Sequence, residues 1–230
     1  MQKKPEHSLD RVRVGAVLIP LDKARRWLTE YTNEANVFVE DPYSYPAYDL
    51  YECDRNEQDL LTDADLLAPG LLNVPVKIRS YYALQRIRPL LEDGLRNIDL
   101  GFALAEVDPA HVASLVKPLY AVLDDPQTRP WGVSGTTLSK ILHRKRPECL
   151  VLHDRWVRRC YVGGDAPVQP SKDRSWADYM VAVTLAIRDD LQSQQEVFES
   201  LDEATSSPGR LSHVRLLDIL AWKSKGKKSD

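Results

Sequence analysis

Residues 131–159 read WGVSGTTLSKILHRKRPECLVLHDRWVRR, and the fold class turns on whether this is a helix, a turn and a second helix. Pro126 and Pro130 break the chain ahead of it. Gly132 and Gly135 bracket a short turn, and Leu138, Ile141 and Leu142 follow at helical spacing, with Ser139, Lys140 and Arg144 outside that stripe. A further helix is expected over residues 156–161, with Asp154 at its start. The same period recurs outward along the chain. Residues 21–32 place Leu21, Ala24, Leu28 and Tyr31 on one face, and residues 62–72 carry Thr62 and Asp65 in capping-box spacing. Helices are also expected over 76–92, from Asp108-Pro109 to about residue 123, over 175–191 and over 211–222. Strand signals are confined to 12–19 and 37–39. The expected fold is all-α, with a minor N-terminal β element. Residues 1–106 would form an N-terminal helical region and 107–230 the hairpin region with the C-terminal helices, the two packed as one compact unit.

Composition narrows the function classes. The chain has 230 residues, 43% hydrophobic and 28% charged, with a formal net charge of −3, so any affinity for a polyanion has to be local. Cys53, Cys149 and Cys160 show no CxxC spacing, which argues for reduced thiols and against a disulfide framework or an iron–sulfur cluster. The apolar patch VGAVLIPL at 14–21 is too short to span a membrane. The expectation is a cytoplasmic protein that binds no membrane, a monomer being favoured. The five histidines have no HxxxH or HxH spacing, so no metal site is expected, and no Gly-x-Ser-x-Gly elbow is present.

Charge is unevenly distributed. Residues 136–159 hold seven bases and two acids, whereas residues 34–66 hold ten acids and Arg55 as the one base. The acidic segment includes DPYSYPAYDLY, with two prolines and four tyrosines, and is expected to be an irregular loop. A glycine turn feeding a helix can bind phosphate through unpaired N–H groups and the helix dipole. The candidate phosphate contacts are therefore Gly132, Val133, Ser134, Gly135, Thr136 and Thr137 in the turn. Lys140, Arg144, Lys145 and Arg146 join them on the helix, and Arg155, Arg158 and Arg159 after Asp154. An equally simple reading leaves residues 143–146 as solvated complements of a helix C-terminus.

The stretch resembles the helix–hairpin–helix signature of the DNA glycosylase superfamily that includes endonuclease III and the adenine glycosylases. Gly132 and Val133 match the start of the hairpin and Thr137 its threonine. Asp154 follows Gly132 by 22 residues, the interval of endonuclease III-like enzymes, and Val157 and Arg159 match the positions after the aspartate. Ser134 stands where the second hairpin glycine is expected, and Gly135 follows it. The chain also resembles a family of uncharacterised actinobacterial proteins through residues 139–147, Asp154 and Asp218-Ile219-Leu220-Ala221-Trp222.

The glycosylase resemblance implies a monofunctional enzyme that hydrolyses an N-glycosidic bond, with Asp154 as the catalytic carboxylate. Bifunctional relatives carry a lysine where Thr136 stands, so no lyase activity is expected. The partner implied is DNA with its target base flipped out, and Tyr43, Tyr45, Tyr48, Tyr81, Tyr82 and Trp156 are candidates to stack on it. No cofactor is expected beyond room for a monovalent cation at the hairpin. Asp154 reads equally well as an N-cap. Two other functions stay open: a non-catalytic module gripping the DNA backbone, and a protein-interaction role for the acidic tyrosine-rich segment.

Overall fold

The computed structural model describes residues 10–38, 46–51 and 58–227. Ten α-helices and one two-stranded sheet lie among them. They are β1 (Arg11–Val14), β2 (Val17–Pro20), α1 (Leu21–Thr32), α2 (Pro46–Leu50), α3 (Asp63–Leu67), α4 (Ile78–Arg96), α5 (Pro109–Ala121), α6 (Gly135–Lys145), α7 (Arg155–Tyr161), α8 (Trp176–Ser193), α9 (Gln195–Glu203) and α10 (His213–Ser224). One apolar cluster runs from Val12 in β1 to Ala221 in α10, so both ends of the described chain contribute to the same core. No helix among the described residues is long and apolar enough to cross a membrane.

The chain is mainly α-helical, and the β element is a hairpin. Val12 and Val14 on β1 and Val17 and Ile19 on β2 point inward, the two-residue alternation of a half-buried ribbon. Gly15 turns the hairpin at φ +60°, a conformation that suits glycine. The ribbon is fixed by the α8 carboxylate of Asp190, which accepts from the Gly15 N–H, the Tyr161 hydroxyl and Arg13 Nε, each at 2.7 Å. Burial is the strongest influence on Asp190 and raises its pKa in spite of these three donors.

Local signals placed most helices. Thr62 and Asp65 form the expected capping box at α3. The helix stops at Leu67 and continues as a 3-10 turn over 68–72, where Pro69 and Gly70 weaken it and Asn73 ends it at φ +57°. The strand expected over 37–39 is not formed at its first two residues: 34–38 is a 3-10 turn, and residue 39 lies outside the described residues. The segment expected to be irregular contributes α2, and α9 lies where no helix was expected.

Candidate functional site

Helix α6 positions the site. Ser134 caps it, its Oγ accepting from the Thr137 N–H at 3.2 Å. The helix is buried on nearly every side, including Ser139 and Lys140, which the apolar stripe alone left outside. Ser139 Oγ accepts from the His153 N–H at 3.0 Å and so clamps the backbone one residue before Asp154. This fixes the register between α6 and the start of α7. As a result Thr136, Lys140 and Asp154 line one cleft of about 490 Å³. That volume lies within the range of small-molecule sites.

Asp154 is the N-cap of α7, and its cap uses a single oxygen. Oδ1 accepts from the Trp156 N–H at 2.7 Å and the Val157 N–H at 3.1 Å. Oδ2 accepts no hydrogen bond from any described residue, on a side chain that lines the cleft. Trp156 and Trp222 add aromatic surface, with the Arg155 guanidinium 4.3 Å and that of Arg159 4.8 Å from the Trp156 ring centre.

The cleft also holds charge that is unusual for so buried a place. Lys140 is 4% exposed, and its ammonium makes no hydrogen bond or ion pair with any described residue. Burial lowers its pKa, against the pull of Asp218 and Asp154. Asp218 is buried and ion-paired with Arg215, and burial raises its pKa against the nearby Arg215 and Lys140. Arg215 is further held by Asp49 (2.7 and 3.0 Å) and donates to the Tyr31 hydroxyl at 2.6 Å. Lys140 is therefore the one cation of this group left without a direct partner among the described residues.

With the site described, the chain can be placed among known proteins. Residues 24–225 match the model of a family of unknown function, DUF6308. The chain belongs to that family. No curated protein and no solved structure gives a significant match.

In this DUF6308 chain the hairpin glycines serve the fold. Gly132 adopts φ +68°, and a Cβ there would press on Ser80 Oγ. Gly135 is buried against the Trp176 ring, which occupies the space a Cβ would need. The close approach that Gly135 permits is thus to the protein's own tryptophan. Thr137 is buried and engaged with Ser134. Gly132 and Ser134 are exposed, Val133 is half-buried, and Thr136 alone of these turn residues lines the cleft.

The basic run after the hairpin is not a surface patch, which corrects the expectation for Lys140, Arg144, Lys145 and Arg146. All four are buried or held inside. Arg146, 2% exposed, donates to the Leu95 and Ile98 carbonyls at the end of α4 and to that of Gln58, and pairs with Asp59. It thereby satisfies carbonyls that a helix end leaves without partners. Lys145 Nζ lies 2.7 Å from Asp65, and Arg144 donates to the Tyr48 and Tyr51 carbonyls at 2.9 Å. Asp49, Asp59 and Asp65 of the acidic segment are the counter-charges of these bases and of Arg215, so much of the uneven charge cancels within the molecule. Of the expected phosphate contacts, Arg155, Arg158 and Arg159 are exposed, and none forms an ion pair among the described residues.

The stacking candidates separate clearly. Tyr43 and Tyr45 lie outside the described residues. Tyr48 is buried and donates to the Lys140 carbonyl at 2.6 Å, which removes it from stacking on a ligand. Tyr81 and Tyr82 meet edge to face and do not line the cleft, while Trp156 lines it. Tyr31, Asn73, Val74, Arg215, Asp218 and Trp222 also line the cleft and were not expected there. For Asp218 and Trp222 a signal existed: they open and close the C-terminal motif shared with the actinobacterial proteins, which carried no role.

Proposed function

We propose that this protein hydrolyses an N-glycosidic bond of DNA as a monofunctional glycosylase, with Asp154 as the working carboxylate. The observation that carries the reading is the divided carboxylate: one oxygen caps α7, the other accepts no hydrogen bond from any described residue, and the side chain lines a cleft with aromatic walls. As the bond between sugar and base breaks, positive charge grows on the sugar. A fixed carboxylate stabilises that charge and takes the proton from the attacking water. The base leaves with the bonding electrons and needs a proton or a strong hydrogen bond. Lys140 supplies it: the residue lines the same cleft, its ammonium has no hydrogen bond or ion pair among the described residues, and burial makes it a better acid. Trp156 and Trp222 are the surfaces on which a flipped base would stack. The proposed setting is the cytoplasm, in keeping with two buried free thiols, Cys149 and Cys160.

The test uses Asp154→Asn on duplexes carrying damaged or mismatched bases, with alkali-labile abasic sites as the readout. Wild type is expected to give product and the variant none. Lys140→Met is expected to lose base release as well, yet to melt higher than wild type, because an unpaired buried ammonium costs stability that a thioether does not. Silence from all three proteins with salt-sensitive DNA binding intact would end the enzymatic reading and leave a DNA-gripping module.

A further inference from the structure

With residues 144–146 engaged inside the fold, the phosphates of any DNA have to be held by other groups, and a different surface has the required chemistry. Arg79, Tyr82 and Arg86 fall at i, i+3 and i+7 on α4 and form one strip. The segment before α6 runs alongside it: the Arg79 guanidinium lies 5.6 Å from the Trp131 ring centre, Ser80 Oγ donates to the Gly132 carbonyl at 3.2 Å, and Arg86 reaches the Arg129 carbonyl at 3.4 Å. Arg79, Arg86 and Arg129 are all exposed, and none forms an ion pair among the described residues. Between them stand two large aromatic side chains turned to solvent, Tyr82 at 65% and Trp131 at 59% exposure. Exposed rings set among unpaired guanidinium groups suit a nucleic-acid strand, whose bases stack while its phosphates meet the cations. The chain that builds the surface also runs on into the cleft lining in both directions. Asn73 and Val74, just before α4, and Thr136, just after the turn, are cleft-lining residues.

We propose that this α4–hairpin face holds a DNA strand at the mouth of the cleft, with Arg79, Arg86 and Arg129 on phosphates and Trp131 and Tyr82 stacked on bases. This rests on the nucleic-acid part of the reading above and is independent of the chemistry assigned to Asp154.

Binding is measured by fluorescence anisotropy with a labelled oligonucleotide, as single strand and as duplex, in the Asp154→Asn background so that no turnover intervenes. Affinity is expected to fall with salt, and each of Arg79→Ala, Arg86→Ala and Arg129→Ala to reduce the slope of log K against log salt by about 1. Trp131→Ala and Tyr82→Ala are expected to weaken binding about tenfold at fixed salt and to leave the slope unchanged. Arg96→Ala, an exposed arginine at the far end of the same helix, is the control and should bind as the parent does. Parental binding by all five variants overturns the inference, as does an Arg96→Ala effect equal to theirs. Absence of salt-dependent DNA binding overturns it too, and would point to a protein partner for this face. Base release by wild type with unaltered binding in the arginine variants removes the inference and leaves the proposed reaction standing. The expected binding losses without any base release do the reverse.

Discussion

Two of the sets of basic side chains on this protein contrast in spacing, burial and charge partners. Lys140 and residues 144–146 are nearly consecutive in sequence yet buried, with Lys145 and Arg146 on carboxylates and carbonyls from distant segments. Arg79, Arg86 and Arg129 are scattered over fifty residues yet share one exposed face without an ion pair among the described residues. Four successive residues sweep round a helix, so a run of bases at a helix end cannot all face solvent when the helix is buried on most sides. The i, i+3, i+7 spacing on α4, by contrast, builds a strip from residues that look unrelated in sequence. Adjacency in the chain is a poor guide to a surface; helical period is a better one.

The largest expected effect breaks the inner set. Arg146→Ala leaves the Leu95, Ile98 and Gln58 carbonyls without their donor and Asp59 without its partner. Removing one member of such a buried network costs about 3–5 kcal/mol, read as a lower urea midpoint. If the contrast holds, the folded variant keeps the parental salt slope for DNA. A normal midpoint with a reduced slope would mean that Arg146 belongs with the outer set.

Acid should find the inner side next. His143 donates through Nδ1 to the Leu150 carbonyl at 2.7 Å, and burial pushes its pKa down to about 3. His153, hydrogen-bonded to Tyr179, is pushed down to about 4, again chiefly by burial. Both folded values lie below the unfolded value of about 6.5, so the unfolded chain takes up these protons first. The stability they confer is full above about pH 6.5 and is withdrawn as pH falls toward 3–4, at about 1.4 kcal/mol per pH unit for each histidine. Urea midpoints at pH 7, 6 and 5 measure it. A His143→Gln variant with an unchanged slope between pH 6 and 5 would show that this ring is not kept dry.

What the sequence made legible follows the range of the interactions involved. Helix α1 shows the boundaries expected from its apolar period, and the Thr62–Asp65 box was readable because cap and partner lie three residues apart. The brief 3-10 turn at 34–38 imposes no period long enough to separate it from a strand. Asp154 was singled out by its interval from Gly132, and the structure sets it on a cleft. Thr136, Lys140, Arg155 and Trp156 on that cleft were also among the expected contacts, whereas Tyr31 and Arg215 were not readable, because Arg215 meets Asp49 and Tyr31 from 166 and 184 residues away. The inner role of Arg146 was hidden for the same reason: its partners Leu95, Ile98 and Asp59 lie in segments that no local pattern connects to it.

The smallest effect separates the two duties of Asp154, where inner structure and open cleft meet in one side chain. Oδ1 caps α7, and Oδ2 accepts no hydrogen bond from any described residue. An asparagine keeps a carbonyl oxygen for the Trp156 and Val157 N–H groups and is as good an N-cap as aspartate, so Asp154→Asn should unfold within a few tenths of a kcal/mol of wild type. Asp154→Ala removes the cap and should cost about 1 kcal/mol. A carboxylate that only caps would therefore make alanine the damaging change and asparagine a silent one in every assay. A carboxylate that also acts in the cleft makes the two variants differ in stability while agreeing in loss of base release. Thermal melts and product assays on the same three proteins decide between these patterns, and neither measurement does so alone.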